Sequence, residues 1–152
     1  MKIRWMVVLA GVIGLSVFGS AACSDESMTG PAFGDLEFTP SFENIGNERT
    51  IELILTNAGS VELGPIVVGN DLAKRVDSPN VVCSTIAATA TPSSVASLAP
   101  GSDAVIQVDI DTSDVDTDAC QPAQYDLDMF AAVDNQVLGG ATVRFNYAGS
   151  AP

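Results

Sequence analysis

Histidine is missing from all 152 residues, tryptophan occurs once, and only six lysines and arginines stand against 19 aspartates and glutamates. Each shortage excludes something. Without imidazole there is no Ser-His-Asp or Cys-His nucleophile and no His-based zinc or copper site, because no other unperturbed side chain titrates between about pH 5 and 8. The formal charge of −13 leaves no basic surface to release counterions from nucleic acid or from an anionic membrane, so nucleic acid is not an expected partner. The three cysteines, Cys23, Cys83 and Cys120, contain no Cys-x-x-Cys spacing, which argues against redox catalysis.

What is present starts at the N-terminus. Lys2 and Arg4 precede an apolar stretch from Trp5 to Ala22 that ends in the small residues Gly19, Ser20, Ala21 and Ala22. A positive start, an apolar middle and a small-residue end describe a signal peptide over residues 1–22. An uncleaved anchor at the lower limit of spanning length is the alternative. The run Ser20-Ala21-Ala22-Cys23 resembles the lipobox of bacterial lipoproteins. That resemblance implies a lipidated Cys23, with Ser24 directing the protein to the outer membrane. It departs from the pattern at Ser20, where the family usually has leucine, and a plain secreted protein with an N-terminal thiol is the competing reading. Two acyl chains would anchor stably where one is marginal, each buried methylene contributing about 0.8 kcal/mol.

Cleavage before Cys23 would remove two bases and no acids, leaving Arg49, Lys74, Arg75 and Arg144 against all 19 acids, a net charge of −15. It would also remove Trp5. In an exported chain Cys83 and Cys120 are expected to form a disulfide. Closing that loop would stabilise by roughly 4 kcal/mol in the chain-entropy model.

Residues 23–34 are small and polar with Gly30 and Pro31, and read as a short tether. Residues 35–148 carry short β signals separated by turns, without a convincing helical stripe. Thr50–Thr56 alternates as a core strand and stops at Asn57-Ala58-Gly59. Val61–Val68 reads as a strand interrupted by Gly64-Pro65, which demands an edge or bulge. Val81–Cys83 and Asp103–Ile110 follow. Ala123–Val133 and Val137–Tyr147 flank Asp134-Asn135 and form the strongest hairpin signal. With Asp35–Phe38 the count is about seven strands, predicting an all-β immunoglobulin-like β-sandwich ahead of a 149–152 tail. Lacking a core tryptophan and correctly placed cysteines, it is not expected to be antibody-like.

Three stretches resemble a known group. Phe38-Thr39-Pro40-Ser41-Phe42-Glu43-Asn44-Ile45-Gly46, Ile51-Glu52-Leu53-Ile54-Leu55-Thr56-Asn57-Ala58-Gly59-Ser60, and Leu98-Ala99-Pro100-Gly101-Ser102 before Ile106-Gln107-Val108 are similar to the bacterial immunoglobulin-like repeats of the ASPM-SPD-2-Hydin and choice-of-anchor group. The CARDB modules share much of the pattern. The resemblance implies a β-sandwich over residues 35–148; its motifs are turns and strands, which host many functions. The cysteine pair and a long acidic insertion between the C-terminal strands depart from it.

Asp109, Asp111, Asp114, Asp116 and Asp118 place five carboxylates in ten residues. Calcium takes six to eight oxygens, so a calcium site is one reading of this run. An EF-hand is not: with Asp114, Asp116 and Asp118 as its first ligands, Ala119 falls where glycine is required and Tyr125 where a bidentate glutamate is required. The other reading is a solvated loop that limits aggregation. Asp126 and Asp128 share one strand face that reads as solvated, where nothing raises a carboxyl pKa for acid/base work. Phe130 lies opposite Leu127 and Met129 and is either an exposed anchor or covered by a neighbour. The expected function is a non-catalytic module, tethered to the membrane through lipidated Cys23 in the bacterial cell envelope and contacting a protein or glycan. The alternative is a calcium-dependent binder using the Asp109–Asp118 run.

Overall fold

A computed structural model describes residues 30–149 of the chain. Eleven strands follow in order: β1 (Leu36–Thr39), β2 (Phe42–Gly46), β3 (Thr50–Asn57), β4 (Ile66–Asn70), β5 (Ala73–Arg75), β6 (Ser78–Cys83), β7 (Ala87–Thr91), β8 (Ser94–Val95), β9 (Asp103–Asp111), β10 (Ala123–Val133) and β11 (Gln136–Tyr147). They form an all-β, immunoglobulin-like sandwich. One sheet has the order β1-β3-β9-β7; the other runs β2-β11-β10-β4-β8, with β5 and then β6 attached beside β10. All pairings are antiparallel except β2 with β11, which is parallel. The chain passes between sheets after β1 and after β7, at Thr39-Pro40 and Thr91-Pro92, both cis.

Period-two alternation builds the core. Leu53 and Leu55 of β3 and Ile106 and Val108 of β9 are fully buried, as are Leu127 of β10 and Val143 and Phe145 of β11 on the opposing sheet. Burying each such side chain contributes about 1.5–3 kcal/mol. Where β11 passes under β1, a Cβ on Gly139 would overlap the Leu36 carbonyl, so the close approach requires glycine. Asp134 and Asn135, at φ 50° and 66°, give the β10–β11 hairpin a tight turn suited to right-handed strand twist.

The sandwich has more strands than the roughly seven expected of the fold. The additional ones, β2, β5, β7 and β8, are short, and β7 is built only of alanine and threonine. The expected interruption at Gly64-Pro65 is present: Leu63 bridges Leu98, and β4 resumes at Ile66, after Pro65, opposite Val95 in the same antiparallel register. Proline has no N–H for the ladder, so pairing resumes behind it.

Asn57 ties together the two turn motifs. It is the buried polar residue of the core, with 0% exposure. Its Nδ2 donates to the carbonyls of Val61 (2.8 Å) and Leu98 (2.7 Å), and its Oδ1 accepts from the Gly59 amide at 3.0 Å. Its backbone N–H reaches the Ser102 carbonyl, and its own carbonyl accepts from Gly101 N–H at 2.7 Å. Gly101 sits at φ +72°, a conformation glycine adopts without cost. The Asn57-Ala58-Gly59 and Pro100-Gly101 turns are thus one hydrogen-bonded unit.

Candidate functional site

The chain enters the sandwich beside the β10–β11 turn, where Gly34 N–H donates to the Leu138 carbonyl and Gln136 Nε2 to that of Pro31. β9 starts at this end, its Ser102 neighbour bonded to Asn57. Eight residues on from its start it delivers Asp111 to the other end, a distance of about 27 Å at the usual strand rise. The acidic run therefore lies opposite the point where the chain enters.

At that far end Cys83, closing β6, is bonded to Cys120 ahead of β10, with the Cα atoms 5.5 Å apart and both side chains buried. The Thr85 hydroxyl lies 3.3 Å from the Cys120 sulfur and accepts from the Asp116 amide at 3.1 Å. Val115, 7% exposed, pins the middle of the loop into the core. The aspartates serve the loop's own backbone. Asp111 Oδ1 accepts from Ser113 N–H, and Asp116 Oδ1 from Asp118 N–H. The Ser113 backbone and side-chain hydrogen bonds hold the Asp111 carboxyl below its ordinary value. Asp109 stays on β9, accepting from Thr50 at 2.8 Å and from Gln107. Asp114 is exposed at the surface. Among the described residues no three acidic or thiol side chains converge as metal ligands, so Asp109, Asp111, Asp114, Asp116 and Asp118 share a segment without sharing a centre. Cys23 and the apolar stretch 5–22 lie outside the described residues.

The outward faces of the two sheets differ in charge. The four-stranded sheet presents Glu37, Glu52, Asp103, Asp109 and Asp111, and none of the described lysines and arginines belongs to its strands. Its polar groups pair with threonine instead, as Thr56 Oγ1 does with Asp103 at 2.6 Å. At its centre Ile54 and Val105, 41% and 55% exposed, stand opposite each other.

On the other sheet Arg144 grips Asp126 through two bonds of 2.7 and 2.8 Å, and Lys74 Nζ lies 2.8 Å from Asp128, which also accepts from Thr142. Burial would raise the Asp128 carboxyl, but the hydrogen bonds from Lys74 and Thr142 outweigh it and hold the pKa below its ordinary value. Asp128 in turn raises Lys74, and Asp126 raises Arg144.

The end of this second face nearest the point of entry is uncharged. Val67 and Val137 flank Ala132 in one row, and Gly69 and Gly140 flank Phe130 in the next. The Phe130 ring is half-buried because it lies across Gly69, where a Cβ would meet Cζ at 2.6 Å. This is an aromatic side chain covering a strand glycine. Beside it an open groove of ≈ 690 Å³ runs between β1 and β2, lined by Phe33, Phe38, Phe42 and Gly140 among others.

No protein-family model and no curated protein matches the sequence. Solved structures do resemble the fold. The secreted serine protease VesC from Vibrio cholerae aligns at 16% identity over 78% of this chain and 24% of its own, with a TM-score of 0.47. The YadV chaperone aligns at 12% identity over 76% of this chain and 53% of its own, TM-score 0.46. A family 123 glycoside hydrolase from Clostridium perfringens aligns at 11% identity, 70% and 22% coverage, TM-score 0.45. The chain thus spans between about a fifth and a half of the length of these proteins.

Proposed function

We propose that the protein is a non-catalytic binding or structural module of the bacterial cell envelope, held to the membrane by lipidated Cys23. The observation that carries this reading is polarity of placement. The chain enters at one end of the sandwich, and the disulfide-stapled acidic loop occupies the other, about 27 Å away along β9. A tether at Cys23 leaves that loop clear of the anchored end, where it meets a protein or glycan partner. The non-catalytic part rests on the missing histidine and on the carboxyls themselves. Asp111 and Asp128 are shifted downward, away from the range useful to a general acid. The similarity to ASPM-SPD-2-Hydin and choice-of-anchor repeats belongs to the same proposal, as does export through a cleaved signal.

The mass of the native protein, reduced and unreduced, tests the anchor: acyl mass on Cys23 and no residues 1–22 are expected. Crosslinking on intact cells tests the module, with one reproducible partner expected above a control in which Asp114, Asp116 and Asp118 are replaced by asparagine. An unmodified cysteine would remove the tether from the reading; identical recoveries would remove the loop.

A further inference from the structure

The geometry points to a second contact with the membrane: the uncharged half of the seven-stranded sheet's outer face rests on the lipid surface beside the anchor. This rests on the reading of Cys23 as lipidated. The patch is assembled from three strands. Val67 of β4 and Val137 of β11 are 53% and 44% exposed, and on β10 between them the Phe130 ring lies against Gly69. Phe33 and Phe42, 75% and 49% exposed, continue it across the groove that Gly140 also lines. In a chain with 19 acids against six bases, the two rows Val67–Ala132–Val137 and Gly69–Phe130–Gly140 carry no charge. Charge enters only around this strip: Asp134 at the turn, Glu37 in the wall of the groove, and Lys74 and Arg144, each already paired with an aspartate, with the Arg144 guanidinium 5.2 Å over the Phe42 ring.

The occupant follows from where the chain arrives. Cys23 precedes Phe33 by ten residues, whose reach is at most about 36 Å. The patch therefore sits within tether length of the bilayer, whereas the opposite face does not suit it. That face carries five acids and no base on its strands, and laying it on lipid would desolvate unpaired carboxylates. Aromatic and aliphatic side chains on one flat face are the groups that enter the headgroup–acyl boundary, to a depth of about 5–10 Å. Lipid contact also turns the acidic sheet face toward solvent.

The chain supplies a clean test, because its one tryptophan, Trp5, lies in the segment read as removed on export. Val137→Trp on the apolar half and Val105→Trp on the acidic face place single reporters at strand positions of comparable exposure, 44% and 55%. The lipidated protein is reconstituted into phosphatidylcholine vesicles containing acyl-brominated phosphatidylcholine. Val137→Trp is expected to shift its emission to shorter wavelength and to be quenched; Val105→Trp is expected to do neither. Equal emission and quenching at both positions, on protein whose mass shows acylated Cys23, overturns the lipid-facing patch while leaving the anchor intact. A concentration-dependent shift of Val137→Trp in detergent-free solution without vesicles overturns it in favour of a second copy. An unacylated Cys23 overturns the anchor on which the inference rests. Circular dichroism on both variants establishes that the sandwich is retained, and Phe33→Trp, in the segment before β1, repeats the test outside the strands.

Discussion

The two outer faces of this sandwich solve the same problem differently. Both belong to sheets that bury apolar inner faces, yet one leaves its acids to threonine hydroxyls and solvent, while the other neutralises Asp126 and Asp128 with Arg144 and Lys74 and carries two uncharged rows beyond them. The bases are too few to serve both. Among the described residues Lys74, Arg75 and Arg144 lie on the seven-stranded sheet, and Arg49 caps the end of the core over the Phe145 ring at 5.9 Å. Unpaired like charge keeps a sheet face wet and separate from other sheets. Where charge is paired or absent, a face becomes available for contact. The asymmetry thus assigns solvent to one side and an interface to the other.

Changes that reach both faces come first in size. Replacing Cys83 and Cys120 together by alanine is expected to lower unfolding stability by about 4 kcal/mol, since the bridge closes a loop spanning 37 positions; chemical denaturation measures it. Asn57→Ala should cost about 2–3 kcal/mol, because it removes three hydrogen bonds from a fully buried side chain, two given to the Val61 and Leu98 carbonyls and one accepted from the Gly59 amide. A loss below the range of an ordinary surface substitution would show that the two turns do not depend on it.

Smaller changes separate the faces. Asp126→Ala breaks a bidentate pair with Arg144 and is expected to cost about 1 kcal/mol, while Glu52→Ala on the bare face should stay within about 0.5 kcal/mol. Equal effects would erase the distinction. The acid limb of the stability curve sharpens it further. Asp128 has a folded pKa below its unfolded value. Its contribution is full above the ordinary aspartate range and is lost as pH falls through the lower folded value. Asp128→Asn should therefore flatten the melting profile below about pH 4; an unchanged slope contradicts the pairing. The smallest expected effect is that of calcium. Because the acidic run does not converge, millimolar Ca²⁺ should leave the melting temperature unmoved, and a rise would show a site formed by rearrangement.

Strong alternation made much of this legible beforehand. Ile51, Leu53 and Leu55 against Glu52 read as a core strand, and the Asp134-Asn135 turn read as a hairpin, because each signal lies within one short stretch. The disulfide followed from counting cysteines. β7 escaped because alanine is its only apolar residue, and β2 because only Ile45 turns partly inward. The break in Val61–Val68 was legible from one missing amide: Pro65 interrupts the pairing, with Leu63 bridged to Leu98 before it and β4 joining the ladder beyond it. The acidic run was visible as composition, but whether its carboxylates met depended on turn geometry that spacing does not carry. The uncharged patch was invisible for a different reason. Val67, Phe130 and Val137 become neighbours only through sheet pairing across three strands.

The parallel pairing of β2 with β11 has a mechanical consequence. Phe42 lies beside Thr142 and Gly46 beside Phe145, so the early strand and the last one run side by side in the same direction. Gly30 and Gly149 lie at opposite ends of the sandwich. Tension between them would drag the two strands lengthwise past each other, loading their hydrogen bonds together rather than peeling them in turn. A domain held at one end and pulled at the other would resist as a shear clamp.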